Sequence, residues 1–402
     1  MKTLLQINLC VNALSTGVIT EKIGCIAKEN GWNSYIAYGL ETYSPEGRTS
    51  SGSVSKTIRI GNSFVRLFHR LINRLLIIEG FGSFFSTLLF IIKIKKIKPD
   101  VIHLHNIFNA YLNLPLFFYF LRSYNGAIVW TIHDCRAFTG YCTHFVDVNC
   151  KNWKVDCCNC PKLNVFKNVP KWNLLKKKRF ALSLPNIVFV SISQWMKDCL
   201  RESIWKNNNS LVIPNGVDTS VFKKRKVSRL PLFEDKFVVM GVASVWGRMK
   251  GLDDYLDLSR LISDDTLLVL VGCDKTFPKD IHNIIAMPKT STPEALSELY
   301  NMADVVTSLS YGETFGMTII ESMACGTPVI CYDNTAQKEK VPVEVGVCVE
   351  TGNVAQVAYA INTIKSRGKR FYSDNCVEYV RDKFDYNCVY NDYVSLYNKL
   401  IV

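Results

Sequence analysis

Eleven short apolar runs, separated by stretches of helical character, constrain this chain more than any other feature. In the first half they lie at residues 3–9, 34–38, 101–104, 127–132, 187–191 and 211–213, and in the second half at 237–242, 267–271, 284–287, 305–309 and 328–331. Strands that alternate with helices predict βαβ units and parallel sheets. Strands this apolar are buried on both faces, as parallel sheets require. A polar, basic segment at residues 222–230 (FKKRKVSRL), followed by Pro231, separates the two series. The expectation is an α/β protein with two doubly wound, Rossmann-like domains, residues 1–222 and 231–402, facing each other across a cleft. The last helix is free to pack back on the first domain. Ligands of such sheets bind beyond the carboxyl ends of the strands, so the loops after strands are where chemistry is sought.

The composition, 48% hydrophobic and 21% charged over 402 residues, gives each domain enough apolar surface for its own core. It excludes a disordered, collagen-like or disulfide-stapled protein. No apolar run reaches the roughly 18 residues of a spanning helix, and the start MKTLLQINLC lacks the long apolar stretch of a signal peptide. The expected location is cytoplasmic, peripheral on the inner face of the cell membrane. Net charge is +13, but residues 1–229 hold 32 Lys/Arg against 12 Asp/Glu, whereas residues 230–402 hold 16 against 23. The basic half suits an anionic surface. Within it, residues 65–98 are apolar and basic, and Arg66, Arg70 and Arg74 share one helical face beside Leu67, Leu71 and Ile78. This reads either as a membrane-surface helix or as an ordinary surface helix with snorkelling arginines.

Residues 308–331, SLSYGETFGMTIIESMACGTPVIC, carry the densest chemistry. A strand ends near Leu309, a glycine-punctuated loop follows, and a helix runs from about Met317 to Cys325, stopping at Gly326. Free amides at that helix start form an anion site that Gly316 lets a ligand approach closely. Glu313 and Glu321, seven residues apart in between, offer acceptors for sugar or ribose hydroxyls. Each also has an ordinary explanation, Glu313 as a dipole-favoured carboxylate and Glu321 as a surface helix residue.

The frame GETFGMTIIESMACGTPVI resembles the E-x7-E signature of retaining GT-B glycosyltransferases, glycosyltransferase family 4. Pro214-Asn215-Gly216-Val217-Asp218 is similar to that family's domain junction, and the stretch from Gly241 to Lys250-Gly251 is similar to the first strand and phosphate-binding loop of its second domain. The resemblance implies that Lys250 binds the donor diphosphate, with the Gly316 and Met317 amides beside it. It further implies that Glu313 contacts donor-sugar hydroxyls and that Glu321 holds the ribose. Where many members have an arginine six residues before the lysine, this chain has Ser244, and Arg248 stands in as the second phosphate cation. Gly17, read as lying between the first strand and a helix at 18–30, resembles the family's N-terminal glycine loop. His133, in WTIHD, is similar to a site-lining histidine, and His105 in VIHLHN is a second histidine after a strand.

Six cysteines, Cys135, Cys142, Cys150, Cys157, Cys158 and Cys160, fall within 26 residues. In a chain without a secretory signal they point to metal more than to disulfides. Cys142, Cys150, Cys157 and Cys160 are the candidate ligands of a structural zinc, with Asp134, His144 and Cys158 as alternates. The insert at about 135–161 resembles that of exopolysaccharide, O-antigen and colanic acid glycosyltransferases. Together these features imply transfer of a sugar, with retention, from a nucleotide-diphosphate sugar to a lipid-linked saccharide, without catalytic metal and without nucleic acid as partner. Two other readings compete: a zinc-containing nucleic-acid binder and a catalytically inactive GT-B scaffold. The donor sugar, its base, the acceptor and the oligomeric state do not follow from the sequence.

Overall fold

Every one of the eleven apolar runs forms a strand in the computed structural model of the protein, which describes residues 1–402 apart from 45, 46, 77, 78, 185, 274–280, 282 and 402. The chain divides into two units, Met1–Pro214 together with Val389–Val402, and Asn215–Cys388. The segment 222–230, expected as a linker, therefore belongs to the second unit. Ion pairs from Lys224 to Asp374 and from Arg229 to Asp304 hold it there.

In the first unit, β1 (Thr3–Asn8), β2 (Asn33–Tyr38), β3 (Lys56–Arg59), β4 (Val101–Leu104), β5 (Ala127–Ile132), β6 (Val188–Ser191) and β7 (Ser210–Val212) form one sheet. Its order is β3-β2-β1-β4-β5-β6-β7, and all pairings are parallel. Helices α1 (Leu14–Glu29), α2 (Ser63–Leu76), α3 (Phe84–Ile97), α4 (Leu114–Arg122), α5 (Val169–Ser183) and α6 (Gln194–Arg201) connect the strands. In the second unit, β8 (Phe237–Val242), β9 (Thr266–Val271), β10 (Ile284–Met287), β11 (Val305–Ser308), β12 (Val329–Tyr332) and β13 (Gly346–Val349) are ordered β10-β9-β8-β11-β12-β13, again parallel. Its helices are α7 (Leu252–Leu258), α8 (Pro293–Met302), α9 (Met317–Ala324), α10 (Val354–Arg367) and α11 (Arg370–Phe384). The strand order reverses direction between β1 and β4 and between β8 and β11, the switch points at which open α/β sheets open a crevice for ligands.

Helix α12 (Tyr386–Leu400) starts in the second unit and continues into the first. Its buried Tyr397 hydroxyl lies 2.7 Å from His103 Nδ1, and the Tyr393 hydroxyl lies 3.1 Å from Thr131 Oγ1. These phenols satisfy polar side chains of central strands that no water reaches. Trp130, Phe189 and Trp205 pack in the main hydrophobic core of the unit, with Trp205 donating its indole N–H to the Ala137 carbonyl at 2.9 Å. One ion pair is also buried in this unit. Lys177 Nζ sits 2.7 Å from Glu79 Oε2 and donates to the carbonyls of Arg136 and Thr139 at 2.8 and 2.9 Å.

Several sequence expectations change. Helix α1 begins at Leu14, not at 18, so Gly17 lies inside its first turn rather than in a loop. The Ala13 cap bonds through no side chain, so nothing in the sequence marks this start. The apolar, basic stretch 65–98 is two helices, α2 and α3, and Ile78 lies outside the described residues.

Candidate functional site

The carboxyl ends of β8 and β11 carry the segments that the sequence singles out in the second unit. After β8 the chain makes one turn of 3-10 helix, Arg248–Lys250, and Gly251 then opens α7. Gly251 has φ +68°, and a Cβ there would lie 2.2 Å from the Leu309 carbonyl oxygen. Only glycine allows the turn to rest against the end of β11. The Tyr311 N–H then donates to the Met249 carbonyl at 3.0 Å. This docking sets the loop after β11 beside Lys250, whose ammonium pairs with the Glu313 carboxylate.

Glu313 is braced from the loop after β12 as well. Its N–H donates to Thr335 Oγ1 at 2.9 Å, and Gln337 accepts from Ser308 Oγ at 2.6 Å while donating to the Ser310 carbonyl at 2.8 Å. Gly316, with φ +91°, caps α9 without a side chain. The first amides of that helix, Met317 among them, have no carbonyl within the helix to bond, and no acidic residue occupies the first turn. The helix end is therefore electropositive and suited to an anion. Glu321 follows in the second turn, where the Tyr300 hydroxyl donates to Oε2 at 3.1 Å. Burial pushes its carboxyl up to about 7, against the lowering effect of that hydrogen bond. Arg248 is exposed in the same turn as Lys250, and Ser244 is exposed before it. Lys250, Arg248, Glu313, Gly316, Met317 and Glu321 thus gather around two adjacent loops and one helix start. Sequence reasoning did not find the braces Thr335 and Gln337.

Gly17 and His133 belong to the first unit. A Cβ on Gly17 would lie 3.1 Å from Cys10 Sγ and 3.2 Å from the Cys10 carbonyl oxygen, so the residue allows α1 to pack against the turn after β1. His133 follows β5, and its Nε2 is 3.0 Å from His105 Nδ1. His105 Nε2 is in turn 3.2 Å from Gln6 Oε1, and Gln6 Nε2 donates to the Thr20 carbonyl at 2.9 Å. Because that carbonyl can only accept, the direction of the whole chain is set. Burial holds His133 down to about 4 and His105 well below its usual range, so both rings are neutral near pH 7. His105 then donates from Nε2 and accepts at Nδ1, His133 donates from Nε2, and His133 Nδ1 is left with a free lone pair. A half-buried imidazole with this fixed tautomer is an acceptor for a hydroxyl and carries no charge. Gln6 and His105 are positioning residues, and the legible signal for them was a glutamine inside the buried strand TLLQIN.

The thiols of Cys142, Cys150, Cys157 and Cys160 are brought into one neighbourhood: burial first, and then Cys160, Cys157 and Cys150, disfavour the charged form of Cys142, and burial with Cys150 and Cys160 does the same to Cys157. The Cys157 sulfur accepts from the Gly140 N–H at 3.3 Å. They are not drawn into a coordination shell: among the described residues, no three His, Cys, Asp or Glu side chains are close enough to hold a metal ion. Also among the described residues, no helix is long and apolar enough to cross a membrane.

Residues 51–221 match the family model described as Glycosyltransferase Family 4, and residues 222–383 match that of Glycosyl transferases group 1. The chain is a glycosyltransferase of family 4. A relative in Escherichia coli (strain K12), a candidate colanic acid biosynthesis glycosyl transferase called WcaC, is 25% identical over 272 residues, 64% of this chain and 66% of the relative. The match thus spans just under two thirds of that relative's length. Among solved structures, sucrose-phosphate synthase from Thermosynechococcus elongatus covers 100% of this chain and 99% of its own at a TM-score of 0.72 and 19% identity. Anabaena Alr3699/HepE in complex with UDP covers 100% of both chains at a TM-score of 0.68 and 15% identity. The glycosyltransferase therefore has the GT-B fold, two Rossmann-like domains with parallel sheets. Family membership accounts for both halves of the chain, which the reading as a nucleic-acid binder did not.

Proposed function

We propose that this glycosyltransferase moves a sugar, with retained anomeric configuration, from a nucleotide-diphosphate sugar to a lipid-linked saccharide during assembly of a bacterial surface polysaccharide. The observation that carries the donor half is the grouping of Lys250 and the open start of α9 with two carboxylates, Glu313 and Glu321, in one unit. Lys250 and the helix end neutralise the diphosphate, which is the leaving group, without need of a metal ion. Glu313 accepts from sugar hydroxyls and Glu321 from the ribose. UDP in the Anabaena neighbour and the colanic acid name of the E. coli relative support the substrate classes. In the first unit, His133 Nδ1 receives a hydroxyl proton through a hydrogen bond. A thermal-shift screen of nucleotide sugars tests the donor, and release of free sugar from the bound donor separates an enzyme from an inactive scaffold. The anomeric configuration of the product tests retention.

The carboxyl of Glu321 gives this reading a pH signature. Ribose hydroxyls donate to the ionised form, whereas the free enzyme holds a proton there below about pH 7. Binding must expel that proton, so donor affinity should fall as pH drops through 7, by up to about tenfold per unit. Titration calorimetry with UDP-glucose should show this for the wild type. Glu321→Gln should bind more weakly at high pH with no such inflection, and parallel pH curves for the two proteins would remove the ribose assignment.

The cysteine-rich insert is proposed to hold one structural zinc on Cys142, Cys150, Cys157 and Cys160; the electrostatic influence of these thiols on one another supports the reading, and binding would have to draw them together into the coordination shell they do not form here. Elemental analysis of the purified protein should find about one zinc per chain. Absence of zinc, with every thiol titratable in the native protein, would refute it.

A further inference from the structure

The first unit contains a cavity of about 560 Å³ between α2 and the loops that follow β4 and β5. Its wall carries four arginines, Arg66, Arg70 and Arg74 from α2 and Arg136 from the turn after β5. One carboxylate, Glu79, faces them, and it is already taken: Lys177 lies 2.7 Å from one oxygen and Arg136 3.7 Å from the other. Arg136 is further occupied by Asn109 Oδ1 at 3.2 Å. Among the described residues, no carboxylate pairs with Arg66, Arg70 or Arg74. The buried Nε of Arg66 and the buried Oδ1 of Asn73, both on this wall, have no hydrogen-bond partner. Burial and the charge of Arg70 both disfavour the charged form of Arg66. Three like charges and an orphaned donor are thus held together without the anion that would offset their cost.

A second observation concerns the rest of α2. Phe64, Leu67, Phe68, Leu71 and Leu75 are exposed by 78, 63, 58, 51 and 61%. Their spacing of three and four residues makes them one stripe. Leu67 and Leu71 also line the cavity, so the stripe leads from the cationic wall out to solvent. His69 lies on the same helix with its ring turned inward, 2.9 Å from Ser83 Oγ at the start of α3, and this contact fixes α2 to the unit. The helix is therefore anchored and still leaves its apolar stripe uncovered within its unit.

We propose that this cavity binds the phosphate or diphosphate of a lipid-linked molecule, whose hydrocarbon chain lies along the exposed stripe of α2. Arginine forks match phosphate oxygens in pairs, and a cavity of this volume falls within the roughly 300–1,000 Å³ of small-molecule sites. Charge selects an anion, and the stripe selects an amphiphile over a free phosphate. The proposal rests on the lipid-linked acceptor reading given above, and it places the acceptor's anionic link on named residues.

The test uses farnesyl diphosphate, inorganic diphosphate and farnesol as probes on the full chain, followed by titration calorimetry below the aggregation concentration of the lipid. The wild type should bind farnesyl diphosphate, bind inorganic diphosphate at least about tenfold more weakly, and ignore farnesol. The variant Arg66→Gln/Arg70→Gln/Arg74→Gln should lose at least about tenfold in farnesyl diphosphate affinity. The variant Phe64→Ser/Phe68→Ser, exposed and outside the cavity, should lose the preference for the lipid but keep the binding of inorganic diphosphate. Equal affinity for the two anions would show a free-phosphate site and overturn the proposal. So would unchanged binding by the triple variant. The fluorescence of Trp130 and Trp205, in the core of the unit that carries the substitutions, reports whether the triple variant is folded, and UDP-glucose binding to the second unit is measured on the same samples. That binding separates failure of this inference from failure of the donor assignment: loss of donor binding in the wild type sinks the latter alone.

Discussion

Replacing Lys250 by alanine should lower kcat/KM by about 10²–10³, the roughly 2.7–4 kcal/mol that a preorganised stabilising group contributes at a developing anion. The ammonium is held in place by Glu313, and Glu313 is held by the docked loops on either side. The effect should therefore fall mainly on kcat, because the charge that grows on the leaving diphosphate is greatest in the transition state. Glu313→Ala should also lose most activity, since it removes both a sugar acceptor and the partner that aims Lys250. The double variant should then lose much less than the product of the two single losses, as expected of groups that act as a unit. Additive losses would show that the ion pair is incidental and that each residue acts alone. Lys250→Arg should recover little, because a planar guanidinium cannot reach the place of a compact ammonium.

The second large effect concerns stability. Lys177→Met should destabilise the first unit by about 3–5 kcal/mol, the usual cost of leaving one charge of a buried pair without its partner. Lys177 and Glu79 are 3% and 8% exposed, and Lys177 also satisfies two backbone carbonyls. The added substitution Glu79→Gln removes the stranded charge and should restore part of the loss. Chemical denaturation followed through the fluorescence of Trp130 and Trp205, which lie in this unit's core, reads the effect. A loss below about 1 kcal/mol, the level of an exposed pair, would mean that water reaches Glu79.

The strands were legible because a parallel sheet covered on both faces needs continuous apolar runs. Besides the short antiparallel pair of Tyr43–Ser44 with Gly47–Arg48, the strands missed are ones where that demand relaxes. β3, KTIR, is an edge strand with its lysine and threonine exposed. β13, GVCV, is also an edge, and it opens on a glycine. In the site, Glu313 and Glu321 were legible from spacing and local context, and Lys250 only through the resemblance to family 4. Their partners were not. Thr335 braces Glu313 from 22 positions away, Tyr300 reaches Glu321 from 21, and Gln6 aligns His105 from 99. Such pairings are products of strand order, which no local window contains.

The membership of residues 389–402 in the first unit bears on how the protein is made. On the ribosome, the first 214 residues emerge well before the tyrosines that cap His103 and Thr131, and the whole second unit is synthesised in between. At about 5–20 residues per second, the opening half waits some ten to forty seconds with His103 and Thr131 paired to each other at 2.7 Å but lacking the tyrosine hydroxyls that complete them. The second unit, whose strands and helices all lie between 215 and 388, faces no such delay. The nascent chain therefore matures out of order: the part made later closes first, and the part made earlier is completed by the helix that emerges after it.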